Sequence, residues 1–299
     1  MEQSKNINVL SLFDGMSCGQ IALNKLGVKY DNYYASEIDK FAIGITKKNY
    51  PNTIHLGDVR DVKGEDLPKI DLLFGGSPCQ SFSNAGNGKG FEGSSGIFWE
   101  YVRVLREVKP KYFMLENVKM KKEWQDIITK ELGVEPIAIN SSLLSGQNRP
   151  RLYWTNIPGV EVPEDKGIKL KDILEDDNLV DKQHLMTPKA MIYMDGLRNG
   201  KQRWDYHKNP LDGKAACIVA SFYKLSGLGV LDYRTLGKPC RRLTPVECER
   251  LQTVPDNYTE SASRTQRYKM IGNGWTVDVI AHIFSYMKLK KKYNGKYYL

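Results

Sequence analysis

The chain has 299 residues, 41% hydrophobic and 26% charged, which is apolar enough for a sizeable core and excludes wholesale disorder. Its 44 Lys+Arg against 35 Asp+Glu leave a formal net charge of +9, an excess that suits a polyanionic partner such as nucleic acid. No apolar run approaches the ~20 residues of a membrane span, no signal-peptide pattern precedes the first strand, and five widely spaced cysteines with four histidines and no CxxC pair argue against a disulfide framework or a zinc ribbon: the expectation is a cytoplasmic chain with reduced thiols, no membrane partner and no metal.

In chain order, Ile7–Phe13 reads as a buried strand and Gly19–Leu26 as a helix closed by Gly27. Tyr33–Ser36, Thr53–Leu56 and Ile70–Phe74 read as strands, with a helix over Lys40–Lys48 stopped before Pro51. After the Gly/Ser-rich stretch Ser83–Gly96 come a helix at Ile97–Val108, a strand at Tyr112–Leu115, a helix at Trp124–Leu132, and strands at Val134–Asn140 and Leu152–Thr155. Such alternation predicts an α/β fold, a doubly wound, mostly parallel sheet with helices on both faces. Residues 159–238 lose this regularity and predict a smaller, irregular domain. From Pro239 helix signals return, with Thr244-Pro245-Val246-Glu247 as a capping box and Val277–Leu289 as an amphipathic helix. The expected divisions are therefore 1–158, 159–238 and 239–299.

Ligands of doubly wound sheets sit at the carboxyl ends of strands, and Asp14, Glu37, Asp58, Cys79 and Glu116 each follow an apolar run. Phe13-Asp14-Gly15-Met16 links the first strand to the first helix, where glycine lets a ligand approach backbone at a helix N-terminus. Glu37 lies 22 residues past Gly15, near the offset at which an acid meets ribose hydroxyls. Asp58 would add a contact to an adenine amine. A nucleoside-containing ligand without a pyrophosphate cradle fits all three, and a tight turn with an exposed acid remains the alternative.

Pro78-Cys79 follows the fourth strand, where a thiol can face the cleft; a small buried hydrophobe is the alternative. Ser83–Gly96 has the composition of a lid over it. Only the thiolate attacks well, and a carboxylate beside it does not activate it by charge. Glu116 is thus a candidate proton donor to substrate, while Arg149 and Arg151 are candidates for favouring the thiolate and an anionic substrate.

In order along nearly its whole length, the chain resembles the DNA (cytosine-5)-methyltransferases, of bacterial and phage type with some similarity to the animal de novo branch. Phe13-Asp14-Gly15 resembles the first cofactor motif, Glu37 the ribose-binding acid and Asp58-Val59 the adenine-contacting motif. Ser77-Pro78-Cys79-Gln80-Ser81-Phe82-Ser83 resembles the catalytic Pro-Cys-Gln loop, Glu116-Asn117-Val118 the Glu-Asn-Val motif and Gln147-Asn148-Arg149-Pro150-Arg151 the Gln-x-Arg-x-Arg motif. Arg242-Leu243-Thr244-Pro245, with Glu247, Arg250, Leu251 and Gln252, resembles the late scaffold motif, and Gly272-Asn273-Gly274 the last cofactor motif. Asp14 stands where many bacterial members have a small residue. Gly274 replaces a small polar residue, which leaves that cofactor contact to backbone or to Thr276. Trp275 either shapes the cofactor pocket or belongs to the core.

The resemblance implies a Rossmann-like methyltransferase domain, a target-recognition region at 159–238, and a terminal segment that returns to the first domain. It implies S-adenosylmethionine bound by Phe13, Asp14, Gly15, Met16, Glu37, Ile38, Asp58, Val59, Pro78, Asn273 and Thr276. It also implies a monomer acting on double-stranded DNA: Cys79 adds to carbon-6 of a flipped-out cytosine, Glu116 meets ring nitrogen-3, Arg151 holds the base carbonyl or backbone, and Arg149 lies beside the phosphate. Gln80 and Ser83 would line the vacated space, with Arg203 and Arg242 on DNA and Arg198, Lys201, Lys224 and Arg234 as further contacts. A tRNA cytosine methyltransferase with the same motifs, a catalytically silent DNA-binding relative, and a small-molecule or amine methyltransferase are the rivals.

Overall fold

The computed structural model describes residues 6–77, 96–198, 201–202, 209–224, 229–289, 291–293 and 296–298. Strand β1 (Ile7–Leu12) is buried at five of its six positions, and a strand apolar on both faces belongs at the centre of a covered sheet. To one side lie β2 (Tyr30–Ser36) and β3 (Ile54–Gly57). To the other lie β4 (Leu72–Gly76), β5 (Tyr112–Val118), β7 (Pro150–Thr155) and β6 (Pro136–Asn140), giving the order β3-β2-β1-β4-β5-β7-β6. The pairs β1–β2, β2–β3, β1–β4 and β4–β5 are parallel, whereas β5–β7 is antiparallel. The doubly wound reading thus holds, with strand order reversing between β1 and β4.

Helices α1 (Cys18–Lys25), α2 (Lys40–Asn49), α3 (Gly96–Val108) and α4 (Lys122–Leu132) supply the crossovers. Asp39 starts α2 by accepting the Phe41 and Ala42 amides at 2.9 and 3.4 Å, and Gly133, at φ +70°, ends α4. The core gathers Leu12, Leu73, Tyr101, Leu115 and Trp154 into one apolar cluster. The sheet strands lie within about three residues of their expected edges. The largest changes are in β2, which begins at Tyr30 because the polar Tyr-Asp-Asn start pairs with β1 through backbone, and in β5, which runs on to Val118 through its pairing with β7. Among the described residues no helix is long and apolar enough to cross a membrane, and no group of three or more His, Cys, Asp or Glu could hold a metal.

Two compact units divide the chain: Met1–Ile139, Pro150–Val162 and Val279–Leu299 form the first, and Asn140–Arg149 with Pro163–Asp278 the second. These cuts differ from 158 and 238. Residues 239–278 belong with the irregular region because their charges are neutralised there: Arg241 is buried in bonds to Glu247 at 2.7 and 2.9 Å and to Asp177 at 3.0 Å. Return to the first unit comes at Val279, within α8 (Val277–Ser285); Phe284 packs 5.2 Å from Phe74, centroid to centroid.

In the second unit, α5 (Pro188–Asp195) is followed by α6 (Pro245–Leu251), which carries the expected capping box, Thr244 Oγ1 accepting from Glu247 N at 3.1 Å and Glu247 from Thr244 N at 2.8 Å. Helix α7 (Arg264–Asn273) lies against the turn at Ala220–Tyr223 so tightly that a Cβ on Gly272 would stand 2.3 Å from the Val219 carbonyl carbon and 2.5 Å from Ala220 N. Gly272 is required by packing, since backbone cannot move aside as a side chain can. Gly272→Ala should therefore lower stability by about 2–3 kcal/mol through overpacking, seen as a lower urea midpoint at unchanged slope.

Candidate active site

Leu12 faces Gly75 across the β1–β4 pair, so both strands leave the sheet side by side at the reversal point. A Cβ on Gly75 would meet the Leu12 carbonyl oxygen at 2.7 Å; glycine permits the approach. After β1 the chain alternates through left-handed backbone at Phe13 (φ +58°), Gly15 (+57°) and Ser17 (+63°). The two non-glycine members cost about 1–3 kcal/mol each, a strain that gathers at ligand sites, and such alternation can turn successive amides into an anion-facing concavity.

Glu37 holds this turn from β2. Its Oε2 accepts Gly15 N at 2.8 Å, and its Oε1 accepts Ile38 N at 2.7 Å and Asp39 N at 2.8 Å. Of four acceptor positions, one on Oε2 is left for a hydroxyl. Ile38 beside it is 71% exposed, an apolar face at the strand ends. Asp58 accepts Arg60 N and Nε, each at 3.0 Å, and its second oxygen takes the guanidinium again. Those bonds from Arg60 hold the Asp58 carboxyl down at about 2, again with one acceptor position left. No Cβ contact would arise at Gly15, so its backbone is open. A ribose on Glu37, an apolar heterocycle face on Ile38 and an amine on Asp58 fit an adenosine-bearing group such as S-adenosylmethionine.

Three of the expected contacts look inward instead. Met16 and Val59 are buried, so only their backbone can serve a ligand. The Asp14 carboxylate is enclosed and accepts hydroxyls from Ser17 and from Tyr33, the latter at 2.7 Å. Burial raises its pKa to about 6, against the pull of the Ser11, Ser17 and Tyr33 hydroxyls. It cannot be a ligand contact by its side chain.

The acid of the Glu-Asn-Val motif sits where three strands meet. Gly76 of β4 pairs with Glu116 of β5, and Glu116 with Tyr153 of β7, while Val118 pairs with Arg151. Arg151 is therefore the diagonal neighbour of Glu116 on one face, and its Nε lies 2.9 Å from Oε1 with both side chains largely enclosed. Asn117, also buried, donates Nδ2 to Ser77 Oγ at 3.1 Å and so ties β5 to the residue ahead of Pro78. Pro78, Cys79, Gln80 and Ser83, and the Ser83–Gly96 lid up to residue 95, lie outside the described residues, as does Arg203. Two partners escaped sequence reasoning, Arg60 and Ser77. Arg60 had a weak signal, a cation two residues after an N-capping acid.

A match to the family described as C-5 cytosine-specific DNA methylase spans residues 7–132 and 147–289. The type II methyltransferase M1.ScrFI of Lactococcus lactis subsp. cremoris is 30% identical over 302 residues, 91% of this chain and 75% of that one. The type II methyltransferase M.HpaII of Haemophilus parainfluenzae is 31% identical over 320 residues, 91% of this chain and 86% of its own. The chain belongs to the C-5 cytosine-specific DNA methylase family. At the level of fold, it is similar to the Entamoeba histolytica methyltransferase EhMeth, with a TM-score of 0.75 at 16% identity over 94% of this chain and 98% of that one.

Several arginines and a threonine given ligand roles from this DNA methylase's sequence have structural ones. Arg149 is buried in the second unit and donates to Ile218 O at 2.7 Å, Gly274 O at 2.9 Å, Gly272 O at 3.3 Å and Cys217 Sγ at 3.3 Å. It is a clamp on carbonyls, not a phosphate contact. Thr276 is enclosed and donates Oγ1 to Gln252 Oε1 at 2.8 Å, which leaves no cofactor contact to its hydroxyl; Asn273 is exposed at the end of α7. Arg242 donates to the carbonyls of Phe222, Tyr223 and Lys224 and stands 5.7 Å over the Tyr268 ring, so it fastens that turn instead of DNA. Arg234 is neutralised by Asp232 at 2.8 Å and Asp195 at 3.3 Å, and Lys224 is exposed beside the Tyr223 ring. Arg198 and Lys201 occupy the two short paired strands Leu197–Arg198 and Lys201–Gln202.

These bonds separate the two roles of Arg149. Lysine keeps the charge but cannot span the same acceptors, so Arg149→Lys should cost about 2–3 kcal/mol of stability and leave the salt slope of DNA affinity unchanged. A slope reduced by about 1 would restore the phosphate role.

Proposed function

We propose that this enzyme binds S-adenosylmethionine at the Phe13–Ser17 turn, Glu37, Ile38 and Asp58, and methylates carbon-5 of a flipped-out cytosine in a specific duplex DNA sequence through a covalent bond to Cys79. What supports this reading is the Glu116–Arg151 pair beside Gly76–Ser77, two to three residues ahead of Cys79 in sequence, at the same sheet edge as the turn after β1. S-adenosylmethionine supplies the methyl group when bound. Carbon-5 of cytosine is a poor nucleophile. Cys79, as thiolate, forms a bond to carbon-6; the π pair of the C5–C6 bond moves toward carbon-5, which would take up the methyl group as the sulfonium's sulfur–methyl bond breaks, leaving S-adenosylhomocysteine. Loss of the carbon-5 proton then returns that pair and expels Cys79 as thiolate. Glu116 holds a proton at ring nitrogen-3, which draws electrons from the ring during addition. Arg151 fixes the Glu116 carboxylate through its Nε and holds the base carbonyl or backbone.

The target carbon lies within the stack, so the base must leave it at a cost of a few kcal/mol, with Gln80 and Ser83 lining the vacated space. Residues 159–238 read the sequence, with Arg198, Lys201 and Arg203 as contacts. The enzyme acts as a monomer in the cytoplasm of a prokaryotic or phage-infected cell.

Cys79→Ser should abolish turnover while DNA and cofactor binding survive; full activity would refute the covalent route. A 5-fluorocytosine in the recognised site should trap an enzyme–DNA adduct, because fluorine cannot leave as a proton does. Parallel assays on duplex DNA and tRNA decide the polymer. Glu116→Gln should slow methylation by roughly two orders of magnitude or more, as loss of a positioned acid does, with cofactor affinity little changed.

A further inference from the structure

The turn between β1 and α1 is held in a conformation that its own residues disfavour. Phe13 and Ser17 both adopt left-handed backbone, which persists only when neighbours over-determine it. Ser17 is the N-cap of α1 yet makes no side-chain cap hydrogen bond, forgoing the ordinary role of an N-cap serine. Its hydroxyl turns the other way, donating to Asp14 Oδ2 and lying 3.1 Å from Thr46 Oγ1 of α2. Asp14 N reaches Ser36 O at 3.1 Å, and Ser17 N closes back on Asp14 O at 3.0 Å. Beneath them the Tyr33 hydroxyl, 1% exposed on β2, donates to Asp14 Oδ1 at 2.7 Å.

Such a buried carboxylate is expensive to keep ionised without partners. Hydrophobic packing alone would not select Asp at position 14 or Tyr at position 33. Both choices make sense if the carboxylate must pin Ser17, and with it the open Gly15 backbone that also donates to Glu37 at 2.8 Å. We propose that Tyr33 is a positioning residue for the cofactor turn, acting through Asp14 and Ser17 to hold the Phe13–Ser17 backbone in its ligand-binding form. Tyr33 touches no ligand itself. The role rests on the cofactor reading above and adds residues of β2 and α2 to it.

Ionised, Asp14 accepts both hydroxyls through charge-assisted bonds. Protonated, one oxygen becomes a donor and the grip on Ser17 weakens. Titratable groups around it are Tyr33 and Tyr30 from β2, Glu37 after that strand, Cys18 from α1 and Tyr50 after α2. Since burial lifts the Asp14 carboxyl to about 6, the grip is complete above that pH and fades below it.

The test is calorimetric titration of S-adenosylhomocysteine into the full chain without DNA, for wild type, Tyr33→Phe, Asp14→Asn and the double variant, between pH 5 and 8. At pH 8 each single variant should bind about tenfold more weakly, the scale of one bond to a charged group. The double variant should bind no more weakly than the worse single one, because both break one network. Wild-type affinity should fall as pH drops through about 6, toward that of Asp14→Asn, whose own affinity should not follow this step. In methylation assays KM for S-adenosylmethionine should rise with kcat within about threefold, since uniform binding is lost. Thermal unfolding checks folding; if Asp14→Asn does not fold, Ser17→Ala removes the second donor and carries the same expectation. No binding by folded wild type overturns the cofactor reading and this role with it. Wild-type binding matched by Tyr33→Phe, or equal losses in kcat and kcat/KM at unchanged affinity, overturns the positioning role alone.

Discussion

How closely Leu12 and Gly75 approach across the β1–β4 pair decides what the first unit can do. Any side chain at position 75 would strike the Leu12 carbonyl oxygen, and strands held apart there would separate the turn after β1 from the loop after β4. The same ladder continues outward. Gly76 faces Glu116, Glu116 faces Tyr153, and Arg151 follows on the same face. The turn after β1, the end of β4 at Ser77 and the acid Glu116 are thereby aligned by backbone pairing, with Asn117 on Ser77 as a side-chain tie between β5 and the end of β4. A parallel ladder places strand ends in register, which is why the chemistry of such folds collects at one edge.

Charge in the second unit is used differently. Arg241 and Glu247 are both enclosed and joined, Arg267 reaches the enclosed Glu249 at 3.0 Å, and Arg149 and Arg242 spend their donors on carbonyls. Removing one partner of such a pair leaves a buried charge uncompensated, with a penalty of about 3–5 kcal/mol. The consequence for DNA is direct. Arg149 and Arg242 count fully toward the formal +9, yet they are committed to carbonyls of the fold, so that figure overstates the cations that can displace counterions. The salt dependence of binding must come from lysines and from the few arginines with no such duty.

Apolar runs of four to seven residues separated by amphipathic ones made the sheet legible, because burial on both faces leaves no other way to write β1, β4 and β5. The acid at position 37 was legible for a related reason: a carboxylate just past a strand end has backbone amides to hold it. The roles of Arg149, Arg242 and Thr276 were not legible. A guanidinium clamped on carbonyls looks in sequence like one that waits for a phosphate, because carbonyl acceptors belong to every residue and leave no pattern. The grouping of residues 239–278 with the segment before them left no pattern either, since contacts such as Arg241–Asp177 span 64 positions. Tyr33 carried no signal at all: a tyrosine in a strand is ordinary until its hydroxyl is seen to end on a buried carboxylate.

Three acids, Asp14, Glu37 and Asp58, follow three parallel strands, and sequence offset alone would give them one role. Their bonds divide them. Glu37 takes three amides and Asp58 takes three donors from Arg60, each with one acceptor position remaining. Both carboxylates are already oriented before any ligand arrives, so little reorganisation opposes binding. Asp14 has turned inward, and its two hydroxyl partners close it off. An acid that faces the ligand must keep a lone pair in reserve, and one that shapes the turn must not. The division follows from where the backbone points each Cβ after the strand ends: outward at Glu37, and, past a left-handed Phe13, under the turn at Asp14.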